Sequence, residues 1–431
     1  MVSGSRAYLA WSDDRNTSDQ IWASRVELDS TPPSAPANLT ASGGDTSALL
    51  EWRPASDSSG ISGYHVLGAA SAAGPFVQIT PQLVTASFYR DVGLAAGSYV
   101  YQVVAYDGTG NPGAASNQAT ATVTVGSGLA GLSGTVYFDN DDGAIATRGV
   151  AGGDVRAIAK GYDANPTPDG KRLFYLSDNN LIARDLASGT PQMLYTDTDG
   201  LSTLDVTGDG TAFAALHRQF LATTTGVCYN FDIRLRTLGS LATQLYETTY
   251  EQHTALSLSD DKRWIASTYA GFCNYAALGS YLPPKLCITD VVRKTSVCTQ
   301  DAKMSDPSFA PNSRWLAFVA DYSGQPEVWK AYVGDDGRLS QFTQLTRSPA
   351  NQPVAAPAWS SDGSWLVFAR DTNSAPGDPT QYELLVVRSD GDGLRPIGIS
   401  AKDPAPAWIG GGTMAPAVGL TPRVFVPAVG R

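Results

Sequence analysis

Apolar and polar positions alternate with a period of two through most of the chain, and one alternating phrase recurs. Its clearest copy is PAWSSDGSWLVFA (357–369): an alternating run ending in Trp359, an Asp-Gly turn, and a second apolar run that opens on Trp365. That pattern predicts a strand, a tight turn and a second strand. Looser copies stand at 164–176, 204–216, 255–267 and 307–319, with a stump, PAWIGGG, at 406–412. The turn residues Asp169, Asp209, Asp260, Asn312, Asp362 and Gly411 lie 40, 51, 52, 50 and 49 residues apart.

A period of that length, built from strands with no amphipathic helix between them, predicts a propeller of four-stranded blades. A third and usually a fourth strand follow each phrase, at 181–194, 232–246, 285–298, 327–345 and 382–397. These make five blades, numbered two to six. Residues 134–160 read as three strands without an opening strand, and 406–409 as an opening strand with nothing after it. Pairing the two ends completes blade one, closes the ring and removes open sheet edges. Trp264, Trp315 and Trp365 begin second strands and are expected in the core between blades.

The phrase PAWSSDGSWLVFA and its relatives resemble the repeat of TolB-like propellers, typically Pro-x-Trp-Ser-Pro-Asp-Gly-x-x-Leu-Ala-Phe. The likeness covers roughly 134–411. It implies a fold more than a function, since such repeats occur in binding and scaffold proteins and ahead of the hydrolase domain of prolyl-oligopeptidase-like enzymes.

Upstream, period-two strands are predicted at 37–42, 47–53, 62–69, 75–79, 86–92, 98–106 and 116–125. Seven short strands at that spacing suit an immunoglobulin-like sandwich. Trp52 in LLEWRP, Tyr64 in GYHV and the stretch 93–116 resemble the fibronectin type III domain, with Tyr99 at the place of its tyrosine corner. His65, alternating with Tyr64, is expected to face water. There is no Arg-Gly-Asp tripeptide to imply integrin-type adhesion.

Residues 6–29 form two alternating strands around an acidic turn. LAWSDDR followed by IWASRV resembles the closing repeat of a sialidase-like propeller, typically Val-x-Trp-x-Asp-x-Arg and then Ile-Tyr-x-x-Arg-Val, and an isolated hairpin is marginal in water. The expectation is a remnant of a domain lost upstream, or an edge that docks on the neighbouring domain. A single copy carries no sialidase activity with it.

The expected architecture is therefore all-β. It comprises an N-terminal hairpin remnant and stiff Pro-rich linker (1–32), a fibronectin type III-like sandwich (33–126), a small-residue linker (127–133), a six-bladed propeller (134–412) and a C-terminal tail (413–431). The tail, with LTPRVFVPAVGR at its end, resembles the short Pro-containing tails of some bacterial exported proteins.

Composition agrees with this class: 16% charged residues, 43 Gly and 26 Pro. The net charge of −11 and the lack of any Lys or Arg run argue against nucleic acid or an anionic membrane surface as partner. No apolar stretch of about 18 residues or more exists to span a bilayer. Cys287 and Cys298 sit on two arms of one predicted hairpin, and Cys228 and Cys273 in similarly worded loops. Pairs 287–298 and 228–273 are favoured among three possible pairings, with buried free thiols as the alternative. Disulfides would imply an extracytoplasmic compartment, whether secreted, cell-surface or periplasmic.

The chemistry expected is binding rather than catalysis. There is no Gly-x-Ser-x-Gly elbow. The acids concentrate in Asp-Gly turns (Asp142, Asp169, Asp199, Asp209, Asp336, Asp362, Asp390 and Asp392) where turn geometry already accounts for them. No cofactor is implied. Acidic loops at 139–143, 197–200 and 390–393 leave calcium open, although none completes an EF-hand, and the histidines and cysteines have no metal-ligand spacing.

What remains is surface. The connections between second and third strands emerge on one propeller face, and those of blades three, four and six (218–231, 270–284 and 371–381) are long. They present Phe220, Tyr229, Phe272, Tyr275, Tyr281, Asp371 and Asn373, with Tyr322 from blade five. Such a face is a candidate site for a protein or glycan. The alternative is that the aromatics only pack on one another. Two further readings stay open: an accessory fragment of a glycan-active or peptidase-type hydrolase, and a self-assembling structural component of a cell surface or filament.

Overall fold

The computed structural model describes residues 2–3, 6–13, 20–27, 29–125, 129, 131–197, 200–223, 226–239, 243–245, 251–272, 285–299, 303–372, 381–401 and 405–412. For 2–3, 6–13, 20–27, 218–223, 226–231, 243–245, 251–253, 270–272 and 412 only the backbone is described. Within these residues the chain is all-β. No described helix is long and apolar enough to cross a membrane.

At the N-terminus Arg6–Asp13 and Gln20–Glu27 pair antiparallel, with Trp11 opposite Trp22. The sandwich comes next. One sheet holds Ala37–Gly43, Ser47–Arg53 and Phe88–Val92; the other is centred on Gly97–Asp107 and Ile61–Ala69, flanked by Pro112–Ala115, Val77–Gln78 and Ala119–Val123. The last expected strand, 116–125, is thus shortened to Ala119–Val123, and a further strand, Pro112–Ala115, precedes it. Trp52 and Tyr64 meet edge to face in the core, centroids 5.3 Å apart. The Tyr99 hydroxyl donates to the Ala95 carbonyl at 3.1 Å, pinning the turn before its strand. His65 departs from expectation: it is half-buried, with Nδ1 3.0 Å from Thr80 Oγ1 and its ring against Tyr106, and burial lowers its pKa.

Six four-stranded antiparallel sheets make the propeller. Blade two is Tyr162–Pro166, Arg172–Ser177, Asn180–Asp185 and Pro191–Thr196; blade three is Leu201–Val206, Ala212–Thr223, Gly226–Thr237 and Thr243–Leu245. Blade four is Glu251–Leu258, Trp264–Phe272, Lys285–Asp290 and Thr295–Cys298; blade five is Met304–Phe309, Trp315–Ala320, Glu327–Val333 and Leu339–Gln344. Blade six is Val354–Trp359, Trp365–Asp371, Tyr382–Arg388 and Arg395–Ala401. Blade one joins both ends of the repeat region. The innermost strand, Ala407–Gly412, pairs with Leu132–Asp139, followed by Ala144–Gly149 and Arg156–Lys160. Leu132 therefore belongs to the blade and not to the linker expected before 134. The indole Nε1 of Trp408 donates to the Ser133 carbonyl at 3.1 Å, and the ring is buried against Val136, Phe138 and the blade-six core.

The recurring phrase has a physical cause. In Ser360-Ser-Asp362, the Ser360 hydroxyl donates to Asp362 (2.7 Å) and accepts from the amide of Trp365 (3.0 Å), while Asp362 accepts from the Ser364 amide (2.9 Å). Thr167 with Asp169 and Thr207 with Asp209 repeat the device. In blade four the cap is Asp261, not Asp260: Ser259 donates to Asp261 at 2.6 Å, and Trp264 donates back to Ser259 at 2.9 Å. Asp260 reaches outward instead, accepting the amides of Gly208 (2.6 Å) and Asn312 (2.8 Å) from the two neighbouring blades.

The sandwich lies against blades five and six. Arg347 donates to Asp91 at 2.8 Å and reaches the Ile79 carbonyl and the Tyr89 hydroxyl, each at 3.4 Å. The 390–393 turn completes the junction. Ser47 donates to Asp392 (3.0 Å), the Gly393 amide to the Asp45 carbonyl (2.7 Å), and Arg395 pairs with Asp45. Gly391 has φ +89, and a Cβ there would come within 2.8 Å of Val92, so glycine sets this close approach. Burial raises the Asp91 carboxyl against the pull of Arg347 and Tyr101, and pushes Tyr89 up to about 12.

Candidate functional site

The expected loop of blade three is instead a continuation of its strands. Ala212–Thr223 and Gly226–Thr237 are twelve residues each, paired from Ala212 opposite Thr237 to Thr223 opposite Gly226. Phe220 stands opposite Tyr229, and Leu221 opposite Cys228. Aromatic and β-branched residues along FLATTTGVCYNF favour the extended backbone, so the ladder runs on as far as the Thr223–Gly226 pair. Phe272 closes the second strand of blade four opposite Glu251. Tyr275, Tyr281, Asn373 and the proposed 228–273 pairing fall outside the described residues.

Asp371 ends a strand opposite Tyr382 rather than lying in a loop. Tyr322 turns onto its own blade, edge-on to Trp329 at 5.4 Å and to Phe342 at 6.5 Å, so it packs on aromatic neighbours. Cys287 and Cys298 form the expected disulfide between facing strands.

At the root of the blade-three hairpin sits a buried cluster that residue spacing did not reveal. His217 is 1% exposed, with Nδ1 2.8 Å from Asp232 Oδ1 and Nε2 3.0 Å from Asp197 Oδ1. Asp197 also accepts from the Tyr195 hydroxyl (2.8 Å) and Arg234 (3.3 Å). The ring is anchored at both nitrogens, and the arrangement ties blade two to blade three.

A second set of acids lies at the inner strands of the blades, Asp163, Asp205 and Asp306 on innermost strands and Asp139 at the end of the second strand of blade one. Asp139 accepts the Asp163 amide (3.0 Å), Asp163 accepts the Leu204 amide, Asp205 accepts the Leu258 amide (2.7 Å) and the Ser257 hydroxyl (2.7 Å), and Asp306 accepts the Ala356 amide (3.3 Å). Each carboxylate thus binds the backbone of the next blade. Burial pushes Asp163 and Asp306 above the usual carboxylate range and Asp205 up to about 6, against the hydrogen bonds that favour the charge. Asp163 and Asp306 occupy left-handed positions (φ 60 and 49) where their strands shift register, a local feature no period-two pattern discloses.

The acidic loops put forward for calcium are used otherwise. Asn140 caps the amides of Asp142 (3.1 Å) and Ala144 (3.0 Å), Asp197 holds His217, and Asp392 holds the sandwich. Carboxylate oxygens converge elsewhere: one each from Asp29, Asp57 and Asp107 lie within 4.8 Å of one another, a donor set suited to a hard cation such as calcium. Burial raises Asp107, but hydrogen bonds from Asn111 and Thr109 outweigh it and leave the carboxyl at about 2.

No protein-family model matches the chain. Chitinase Chi52 of Paenibacillus xylanexedens is 35% identical over 131 residues, covering 28% of this chain and 24% of that protein, so the chain spans about a quarter of this curated relative. Among solved structures, the propeller is similar to a putative TolB from Agrobacterium tumefaciens, with 18% identity, TM-score 0.46, and 66% of this chain and 92% of that one covered. A Fn3-like protein from Clostridium thermocellum is 27% identical with TM-score 0.20, covering 22% of this chain and 96% of that one.

Proposed function

We propose that the chain is a non-catalytic, extracytoplasmic binding protein. Its propeller loop face takes a protein or glycan, and its sandwich acts as a fixed spacer. The observation that carries this reading is the blade-three hairpin, whose strands run twelve residues where the second strands of blades two, five and six have six or seven. Among the described residues it extends this blade beyond blades two, five and six on the face where the connections between second and third strands emerge. The central carboxylates support a binding role, because each described one is committed to a backbone amide of the next blade. The Cys287–Cys298 disulfide supports an oxidising compartment.

The partial likeness to a chitinase favours a glycan and also supports a second reading, an accessory part of a polysaccharide-degrading protein. Sedimentation of the full chain with insoluble chitin, beside a variant with 218–231 replaced by a two-residue turn, tests both. Binding that the shortened hairpin loses, with no soluble sugar released, is expected. Release of sugar, or binding indifferent to the hairpin, would overturn the reading.

A further inference from the structure

The junction between blades one and two holds a cavity of about 570 Å³, lined by Thr135, Tyr137, Thr147, Arg156, Leu186 and Ile409 together with the backbone of Gly149 and Gly170. It opens where blade one carries a small residue at one register position. The second-strand residue one before the partner of the innermost strand's Trp408-type position faces the next blade. It is Trp264 in blade four, Trp315 in blade five and Trp365 in blade six, and it is Thr135 in blade one. Blades two and three place Arg172 and Ala212 there, and Ala212 is covered, only 1% exposed. Opposite Trp365 stands Arg388, whereas opposite Thr135 stands Gly149. Relative to blade six, two large side chains are thereby replaced by a short branched one and a hydrogen. At the four–five junction, where the indole is kept, Trp264 forms a wall of a smaller cavity of about 380 Å³.

Blade one keeps the cation that accompanies the ring elsewhere. Arg263 lies 4.5 Å from the Trp264 ring, Lys330 4.8 Å from Trp315, and Arg395 5.7 Å from Trp365. Arg395 pairs with Val386, and Val386 with Val367; in blade one Arg156 pairs with Thr147, and Thr147 with Tyr137. Arg156 therefore occupies the register of Arg395 without an indole of its own blade to cover. Tyr137, Ile158, Leu186 and Ile409 supply the apolar floor, and Thr147 Oγ1 is buried there with no hydrogen-bond partner. Arg148 and Asp154 also line the cavity, and the Arg148 guanidinium is engaged by the carbonyls of Ile397 and Gly398, to which it donates.

We propose that this cavity binds a small ligand carrying a planar aromatic ring. The ring would lie over Tyr137 where blades four to six place their own indole, with Arg156 on its face and Thr147 answering a polar substituent. A cation over a ring face within about 6 Å is attractive, and more so where water is excluded. The site lies on the side of the Asp-Gly turns, away from the loop face, and does not depend on the reading given to that face.

Fluorine NMR of a fluorinated indole against the full chain tests it, with indole acetate and N-acetylglucosamine as competitors. For a fragment of this size, saturable binding in about the millimolar range is expected. Thr135→Trp, which supplies the indole of blades four to six, should abolish that binding and leave the fold intact or more heat-resistant. Arg156→Gln, an exposed position, keeps the fold and should weaken indole acetate by about fivefold, the scale of one exposed charge contact. Failure to saturate at about ten times that concentration, displacement by N-acetylglucosamine but not by indole acetate, or unchanged binding in Thr135→Trp would overturn the proposal. If Thr135→Trp unfolds, the Arg156→Gln result decides: unchanged affinity for indole acetate counts against the site.

Discussion

Asp91 of the sandwich accepts a hydrogen bond from Arg347 of the propeller at 2.8 Å, and Asp91 is almost fully buried while doing so. A buried carboxylate so placed depends on its partner, because removing the guanidinium strands a charge away from water. Arg347→Ala is expected to cost about 3 kcal/mol. Differential scanning calorimetry should show the unfolding of sandwich and propeller separating into two transitions. One unsplit transition at an unchanged temperature would mean that the junction couples nothing.

Asp205 gives a pH dependence whose sign is opposite to that of a salt-bridged acid. Burial raises its folded value to about 6 from an ordinary 3.8. Below the lower value both states hold the proton, and between the two the folded state holds a proton that the unfolded state has released. Its contribution to stability is therefore fully present below about pH 4 and is lost as pH rises through about 6. Asp205→Asn keeps an acceptor for the Leu258 amide and removes the titration. The melting temperature of the variant relative to the parent should rise between pH 4 and pH 7; a constant difference would place Asp205 outside this account.

The Cys287–Cys298 disulfide closes a short hairpin, with a sequence separation of 11. Replacing both cysteines with alanine should lower stability by about 2–3 kcal/mol, the scale for constraining a loop of this size. Denaturant titration of the double variant measures it, and the far-UV spectrum should be unchanged.

Trp408 closes the ring, 3% exposed, with its indole nitrogen bonded to Ser133. Trp408→Ala should cost about 3–5 kcal/mol through the hole it leaves. Hydrogen exchange should rise first in Leu132–Asp139 and Ala407–Gly412. Protection kept in both strands would mean that backbone pairing, not the indole, holds the clasp.

The blades were legible because one short-range device, a hydroxyl and a carboxylate two residues apart capping the turn, recurs at Thr167, Thr207, Ser259 and Ser360 with an apolar strand on each side. The turn of blade four is displaced by one residue from its sequence assignment because Asp260 and Asp261 are adjacent and only contacts with other blades tell them apart. The candidate face was less legible. A loop and a continued hairpin share the same residues at 218–231, and no local pattern says that Tyr322 folds back on Trp329. His217 finds its two aspartates 20 residues before and 15 residues after itself, a distance at which sequence carries no ligand signal. The Thr135 cavity was hidden for another reason. Blade one is divided between the two ends of the repeat region, so the small residue at the tryptophan position shows only once Ile409 is laid beside Thr135.

That division also sets a kinetic order. The hydrogen bond from Trp408 to Ser133 spans 275 residues of sequence, so the contact that completes the ring is among the most non-local in the chain. Native pairings of such separation form late and slowly. Until Ala407–Gly412 arrives, Leu132–Asp139 presents an unpaired edge and the apolar side chains of Val136 and Phe138. Such an edge is an aggregation hazard. Any truncation or fusion that delays the 407–412 segment therefore acts on folding yield before it acts on the finished protein.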